Sequence, residues 1–167
     1  MRIKKIILAV VAFLAAFQAY SQTTQDAAFE KLYSALSDSC LSIKCTYTLT
    51  MSEMRISGEA ELLAQDGCYV METGEISVYC DGTSVWTIDN SVKEVVIEPG
   101  PGGYDLTKVR DVKLGQNGMI DSFSFVNEDG TVMKAKVVTM TSSEKKSVTS
   151  FRPQMTFGSD WIVTDMR

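Results

Sequence analysis

The stretch CDGTSVWTID, residues 80–89, decides the fold class of this chain. Asp81-Gly82 is a strong turn dipeptide, and Asp89-Asn90-Ser91 is a second turn signal about eight residues later. The roughly six residues between the two turns are enough for one β-strand. Trp86 is the largest apolar side chain in that strand. It either fills an ordinary core or lines a surface that holds a ligand, and both interpretations stay open at this point.

The same rhythm of short strands and turns extends along most of the chain. In residues 44–53, Cys45, Tyr47, Leu49 and Met51 alternate with polar residues, which is typical of a strand with one buried and one wet face. We predict roughly nine or ten strands in an antiparallel meander. The further predicted strands are residues 54–63, 68–73, 75–80, 84–89, 93–98, 119–127, 131–141, 147–157 and 161–166.

One amphipathic helix precedes the strands. Residues 24–38 place Phe29, Leu32, Tyr33 and Leu36 at helical spacing, so the apolar stripe needs a partner surface. A long antiparallel sheet must also curl to hide its apolar face. We therefore predict a mainly β (α+β) protein in which a strongly curved antiparallel sheet forms a half-open β-barrel wrapped around the N-terminal helix.

The first 21 residues predict a secretory signal peptide. Arg2, Lys4 and Lys5 precede an uncharged apolar run, and Ala19-Tyr20-Ser21 fits a cleavage site. The run is shorter than the roughly 18 to 20 apolar residues that a membrane span requires. Residues 22–167 then form a single domain with a net charge of −8, which argues against a nucleic-acid partner.

The residue types present argue against catalysis. The sequence contains no histidine, so the commonest general base and metal ligand is missing. Glu59 and Glu61, or Glu72 and Glu75, could in principle form an acid–base pair, but a solvated strand face and a polar turn explain them better. No run has the oxygen-ligand spacing of a calcium loop. We expect no enzyme activity, no cofactor and no metal.

The four cysteines are Cys40, Cys45, Cys68 and Cys80, and they follow the predicted signal peptide. An exported protein can keep disulfides, and four cysteines allow three pairings. If residues 68–80 form a hairpin that turns near Thr73-Gly74, then Cys68 and Cys80 lie opposite each other. The predicted disulfides are therefore Cys40–Cys45 and Cys68–Cys80.

Apolar and methionine side chains form the candidate binding surface. Eight methionines follow residue 21, and their flexible, polarisable side chains suit irregular apolar ligands. The alternative is that the same side chains simply pack against the helix. The predicted face is Tyr47, Leu49, Met51, Ile56, Met71, Val78, Trp86, Phe123, Phe125 and Met133.

Three stretches carry a resemblance to a known family: VYCDGTSVWTIDNSVKEVVIE (78–98), GMIDSFSFVNEDG (118–130) and FRPQMTFGSDWIVTDMR (151–167). In that order they are similar to the central hairpin, a later strand pair and the closing pattern of the periplasmic carriers of outer-membrane lipoproteins, the LolA-like family. The chain departs from the family at AQDGCYVMET (64–73), which lacks an Arg-Pro pair, and in a shortened lid region between Ile97 and Lys113.

The resemblance implies a half-open barrel whose hydrophobic interior takes up lipoprotein acyl chains in the periplasm of a Gram-negative bacterium. It implies a lipid-binding chaperone for lipoprotein transport, with inner- or outer-membrane lipoprotein-sorting proteins as partners. A second hypothesis is a non-enzymatic protein-interaction or stress-sensing module. In that case the same half-barrel binds a periplasmic or membrane-bound protein, for instance by strand addition.

Overall fold

The computed structural model describes residues 24–51, 54–100, 109–126 and 130–167. The predicted signal peptide, residues 1–21, lies outside the described residues. Helix α1 (Thr24–Asp38) occupies the span predicted from its helical spacing. Among the described residues, no helix is long and apolar enough to cross a membrane.

Ten described strands follow α1 and form one large sheet, so the protein is mainly β, as predicted. Neighbouring strands run antiparallel except at one edge, where the last strand lies parallel to its neighbour, so the sheet is mixed. The strands are β1 (Cys40–Met51), β2 (Met54–Gln65), β3 (Cys68–Glu72), β4 (Ile76–Cys80), β5 (Ser84–Asp89), β6 (Glu94–Pro99), β7 (Val109–Leu114), β8 (Ile120–Val126), β9 (Val132–Ser143) and β10 (Ile162–Asp165).

The sheet consists of two meanders that meet at β1. Its strand order is β10-β6-β5-β4-β3-β2-β1-β9-β8-β7. Strands β1 to β6 pair in sequence order, and β7 to β9 form a second antiparallel group. The groups are joined by the β1–β9 ladder, in which Cys40 pairs with Ser143 and Thr50 pairs with Val132.

Outside the irregular stretches of β7, β8 and β9, the register assigns each strand residue to one of two faces, because side chains alternate along a regular strand. We call the face that contacts α1 the helix face, and the other the second face. Leu32 of α1 is 2% exposed and packs into the helix-face core, with Ala35 and Leu36 beside it. The strand residues of this core are Leu41, Ile43, Leu49, Leu62, Ala64, Tyr69, Met71, Ile76, Val78, Cys80, Val85, Ile120, Phe123, Met133 and Ala135.

The predicted strand at residues 147–157 is wrong. The segment contains a short 3-10 helix (Val148–Phe151), whose N-terminus is capped by Ser147, and then irregular chain. Phe151 is fully buried in a cluster with Cys40 and Cys68 on the second face. The alternation of apolar and polar residues here therefore reflects intermittent contact with the sheet, not pairing in a ladder.

Residues 144–167, which we call the C-terminal cover, lie across the second face of β2 to β6. Gln65 of β2 makes two 2.7 Å hydrogen bonds with the backbone of Lys146, one as donor and one as acceptor. Further along, Phe157 and Trp161 pack on β5 and β6, and the cover ends as β10 beside β6. Strands β4 and β5 are therefore largely buried on both faces, whereas β6 is buried mainly on the second face.

Candidate binding surfaces

The predicted apolar face is largely brought together. By register, nine of its ten positions lie on the helix face. Five belong to the buried core, and Met51 and Ile56 pack against it while half-buried. Phe125 pairs with Met133 by backbone register, and its side chain is outside the described part of the chain. The five core members are Leu49, Met71, Val78, Phe123 and Met133.

Tyr47, the remaining member on the helix face, lies against Gly58 on the neighbouring strand. A Cβ atom added to Gly58 would be 2.9 Å from the Tyr47 Oη, so glycine lets the ring lie close against the β2 backbone. Burial raises the pKa of Tyr47, and the nearby Cys45 thiol adds to that rise. The Tyr47 hydroxyl is therefore neutral at physiological pH.

Trp86 lies on the other face, so its assignment to the apolar helix-face set is wrong. It pairs with Tyr79 and Ile97 and packs in a cluster with Ile88 and Val95. Phe157 and Trp161 of the C-terminal cover close this cluster, with their ring centroids 5.3 Å apart. Trp86 therefore helps to hold the cover on the sheet.

The two predicted disulfides are also wrong, because all four cysteines are free and buried. Cys40 and Cys45 lie on one extended strand, so their Cα atoms are about 16 Å apart, far beyond the roughly 7 Å limit of a disulfide. Cys80 pairs with Tyr69, one residue away from Cys68, so Cys68 and Cys80 point to opposite faces. Burial raises the pKa of Cys80 to about 11, which leaves the thiol protonated and a poor nucleophile.

Asp81 does more than form the turn predicted for Asp81-Gly82. Its side chain is 2% exposed, and its Oδ1 accepts hydrogen bonds from Thr83 and from the backbone N–H of Ser84 at 2.9 Å. Its Oδ2 accepts a 2.7 Å bond from Nε of Arg152 in the C-terminal cover. Burial raises the pKa of Asp81, but these hydrogen bonds together outweigh it and bring the pKa to about 2.

Thr87 carries an unusual buried hydroxyl on the helix face. The residue is 4% exposed and sits between Val78 and Val96 in the ladder. Its Oγ1 has no hydrogen-bond partner among the described residues. An unpaired buried hydroxyl is destabilising, so a ligand group that bonded to it would gain free energy.

A polar groove with a volume of about 810 Å³ lies on the second face, beyond the C-terminal cover. Two rows of paired residues cross β2, β1, β9, β8 and β7 there, and all but one of their members line the groove. Four helix-face residues between the rows, Tyr47, Gly58, Phe123 and Ala135, complete the central lining. The first row is Glu59, Thr46, Lys136, Ser122 and Lys113, and the second is Ser57, Thr48, Lys134, Ser124 and Arg110.

The groove has a cationic end and a hydroxyl-rich end. Lys113, Lys134 and Lys136 make no ion pair in the part of the chain that the structure describes. Asp111 is beside them, but its Oδ2 accepts a 2.6 Å hydrogen bond from Ser124. At the other end, the Thr48 and Ser57 hydroxyls are 3.0 Å apart.

The groove is not predicted by the sequence. The alternation Thr46, Thr48 and the alternation Lys134, Lys136 each mark a wet strand face. Nothing in a single sequence indicates that these two strands pair, and only their pairing assembles the groove. Among the described residues, no group of three His, Cys, Asp or Glu side chains could hold a metal ion.

The comparisons with known proteins add the fold and no function. No family model matches the chain, and no curated protein matches it. A solved structure, described as an uncharacterized conserved protein from Thermus thermophilus, is similar with a TM-score of 0.55 and 15% identity. The match covers 86% of this chain and 99% of that chain. Likeness at this level of identity concerns the architecture of the sheet only.

Proposed function

We propose that the protein is a periplasmic, non-enzymatic binding protein of the LolA-like kind, which holds acyl chains of lipids or lipoproteins on its helix face. The observation that carries the proposal is the extent of the apolar core on that face. It includes residues from seven strands that are adjacent in the sheet, in the order β5, β4, β3, β2, β1, β9 and β8, and α1 packs against it. Inner- or outer-membrane lipoprotein-sorting proteins would then be its partners.

The helix is narrower than the surface it contacts. Seven adjacent strands span about 29 Å at roughly 4.8 Å per strand spacing. A helix with its side chains is only about 10 to 12 Å across. In the proposed function, the sheet curls into a half-open barrel around α1, and acyl chains enter between the helix and the buried apolar residues of the sheet.

The contacts of α1 are compatible with a helix that moves away from the sheet. Of the helix side chains that the structure describes, Leu32 is fully buried, whereas Ala35 and Leu36 are half-buried. Hydrogen bonds join the helix to two turns beside the sheet: Asp66 N–H donates to the Leu36 carbonyl at 3.2 Å, and Lys31 Nζ donates to the Asn117 carbonyl. In the proposed function, the helix moves aside at modest cost when a ligand enters.

Energetics favour acyl chains as the ligand. Burying one methylene contributes about 0.8 kcal/mol, so one long chain gains on the order of 10 kcal/mol. Met51, Met71 and Met133 lie on this face, and methionine adapts to irregular apolar shapes. Contacts of this kind allow a carrier to bind many chains and still release them.

The experiment is uptake of a fluorescent fatty acid, together with lipid extraction and native mass spectrometry of the purified protein. We expect saturable uptake, weakened by Ile56→Ala at the edge of the apolar core. Val138→Ala is the matched control, because Val138 is 61% exposed. Absence of both bound lipid and uptake would falsify the proposal.

A protein-interaction module is the second candidate, and the edge strand β10 favours it. All four of its residues are exposed, including Ile162 at 63% and Val163 at 50%. Its outer edge has unpaired backbone groups that can pair with a strand of another protein. Ile162→Lys would abolish capture of such a partner by strand addition and leave fatty-acid uptake unchanged.

A further inference from the structure

We propose that the polar groove on the second face is a binding site for a small phosphorylated carbohydrate. This inference is independent of acyl-chain binding, since it concerns the opposite face of the sheet. A ligand that fits the groove has a phosphate group joined to a neutral part that carries hydroxyl groups. The volume of the groove, about 810 Å³, is within the range of small-molecule sites.

Three ammonium groups define the phosphate end. Lys136 and Lys113 pair with opposite sides of Ser122, so their Cα atoms are about 10 Å apart across β8. Lys134 is two residues from Lys136 on the same face, about 7 Å away. A phosphate between them lies within reach of all three side chains.

The three lysines make this end of the groove cationic in a protein that is acidic overall. The whole chain has a net charge of −5, yet these three lysines make no ion pair with a carboxylate of the described chain. By contrast, Lys44, on the same face outside the groove, makes a 2.5 Å ion pair with Glu61. Clustered like charges repel one another, and a dianionic phosphate relieves that repulsion better than a carboxylate does.

Hydrogen-bonding groups at the other end suit sugar hydroxyls. Thr46 lies beside Lys136, and Thr48 lies beside Lys134, so each of these two lysines has a threonine as its neighbour on β1. Beyond them, Glu59 and Ser57 on β2 complete the rows. These oxygens can accept hydrogen bonds from a polyhydroxylated ligand, and the hydroxyl groups can also donate.

The test is isothermal titration calorimetry of the full protein at low ionic strength with three probes: glucose 6-phosphate, inorganic phosphate and glucose. We expect saturable binding that is tightest for glucose 6-phosphate, weaker for phosphate and undetectable for glucose. Lys136→Met should weaken glucose 6-phosphate binding about tenfold or more, the effect of losing one charge-assisted hydrogen bond. Thr46→Val should weaken glucose 6-phosphate binding and leave phosphate binding unchanged.

Lys44→Met is the matched control, because it removes the same charge from the same face outside the groove. Less than a twofold effect of Lys44→Met supports a built site. An equal effect of Lys44→Met and Lys136→Met would overturn it, because it would mean attraction by net charge alone. Binding to vesicles that contain phosphatidic acid, without binding of glucose 6-phosphate, would also overturn it by assigning the phosphate to a membrane. Thermal melting of each variant checks that the fold is retained.

Discussion

The second face of the sheet is covered at one end and open at the other. Over β3 to β6, it is apolar and lies beneath the C-terminal cover, with Trp86 and Val95 against Phe157 and Trp161. Over β8, β9 and β1, it carries Ser, Thr and Lys side chains around the groove. The helix face is apolar on β5, β4, β3, β2, β1, β9 and β8, and carries Glu94 and Glu98 on β6. One continuous sheet therefore has apolar side chains packed on both faces in one half and on a single face in the other.

Removal of the central side chain of the cover should have the largest effect on this arrangement. Phe151 is 0% exposed and contacts Cys40 and Cys68. We expect Phe151→Ala to lower the free energy of unfolding by about 3 to 5 kcal/mol, because it leaves a cavity between cover and sheet. Urea denaturation measures this. A change below about 1 kcal/mol would mean that the cover is not part of the cooperative fold.

Substitution of Asp81 tests the electrostatic contact between the C-terminal cover and the sheet. We expect Asp81→Asn to destabilise the protein by about 2 to 3 kcal/mol at neutral pH, since a neutral amide replaces the buried carboxylate that accepts the hydrogen bond from Arg152. The pKa of Asp81 is lowered to about 2 in the folded protein, below its unfolded value near 4. Its contribution is therefore complete above about pH 4 and is lost as the pH falls towards 2.

Urea midpoints at pH 7, 4 and 2.5 check the sign of that dependence. The gap between wild type and Asp81→Asn should be widest at pH 7 and should narrow in acid. Asp165→Asn serves as a control for charge removal, because Asp165 is an exposed partner of Arg167. A gap that widens as the pH falls would contradict the assignment.

Thr87→Val should act in the opposite direction. It replaces the unpaired hydroxyl with a methyl group of similar size on the helix face. We expect the free energy of unfolding to rise by about 1 kcal/mol, because no hydrogen bond is lost and a buried polar group is removed. Thermal melting of ligand-free protein measures the change, and destabilisation by more than about 1 kcal/mol would show that the hydroxyl is satisfied.

Substitutions in the open half should have the smallest effect on stability. Lys134 is exposed and makes no ion pair within the described chain. We expect Lys134→Ala to change the free energy of unfolding by less than about 0.5 kcal/mol. Because the variant also relieves repulsion from Lys136, a slight gain is the favoured sign. A loss of more than about 1 kcal/mol would show that this half is packed like the other.

Much of the fold is predictable from local pattern. The helix at residues 24–38 and the strands around Trp86 have strong periodicity and clear turn residues, and both are confirmed. The face of Trp86 is not predictable in the same way. Strand β5 is buried on both sides, so its pattern does not indicate which side chains share a face.

The error in the predicted Cys68–Cys80 disulfide has a similar cause. Symmetric pairing of residues 68 and 80 requires a register that differs by one residue from the actual pairing of Tyr69 with Cys80. A shift of one residue moves a side chain to the opposite face. The shared face of nine of the ten predicted apolar residues was predictable, because alternation indicates which side chains of a strand are buried together. The groove was not, because it depends on a pairing between segments distant in sequence.

The β1–β9 ladder also has a consequence for the order of folding. Strands β2 to β6 pair through short turns, but β1 meets β9 only after residues 40 and 143 come together. Contacts so distant in sequence form slowly, because closing a long loop costs conformational entropy. Until β9 has been synthesised and docked, β1 has an unpaired edge. The nascent chain is therefore most prone to aggregate before its last quarter is available.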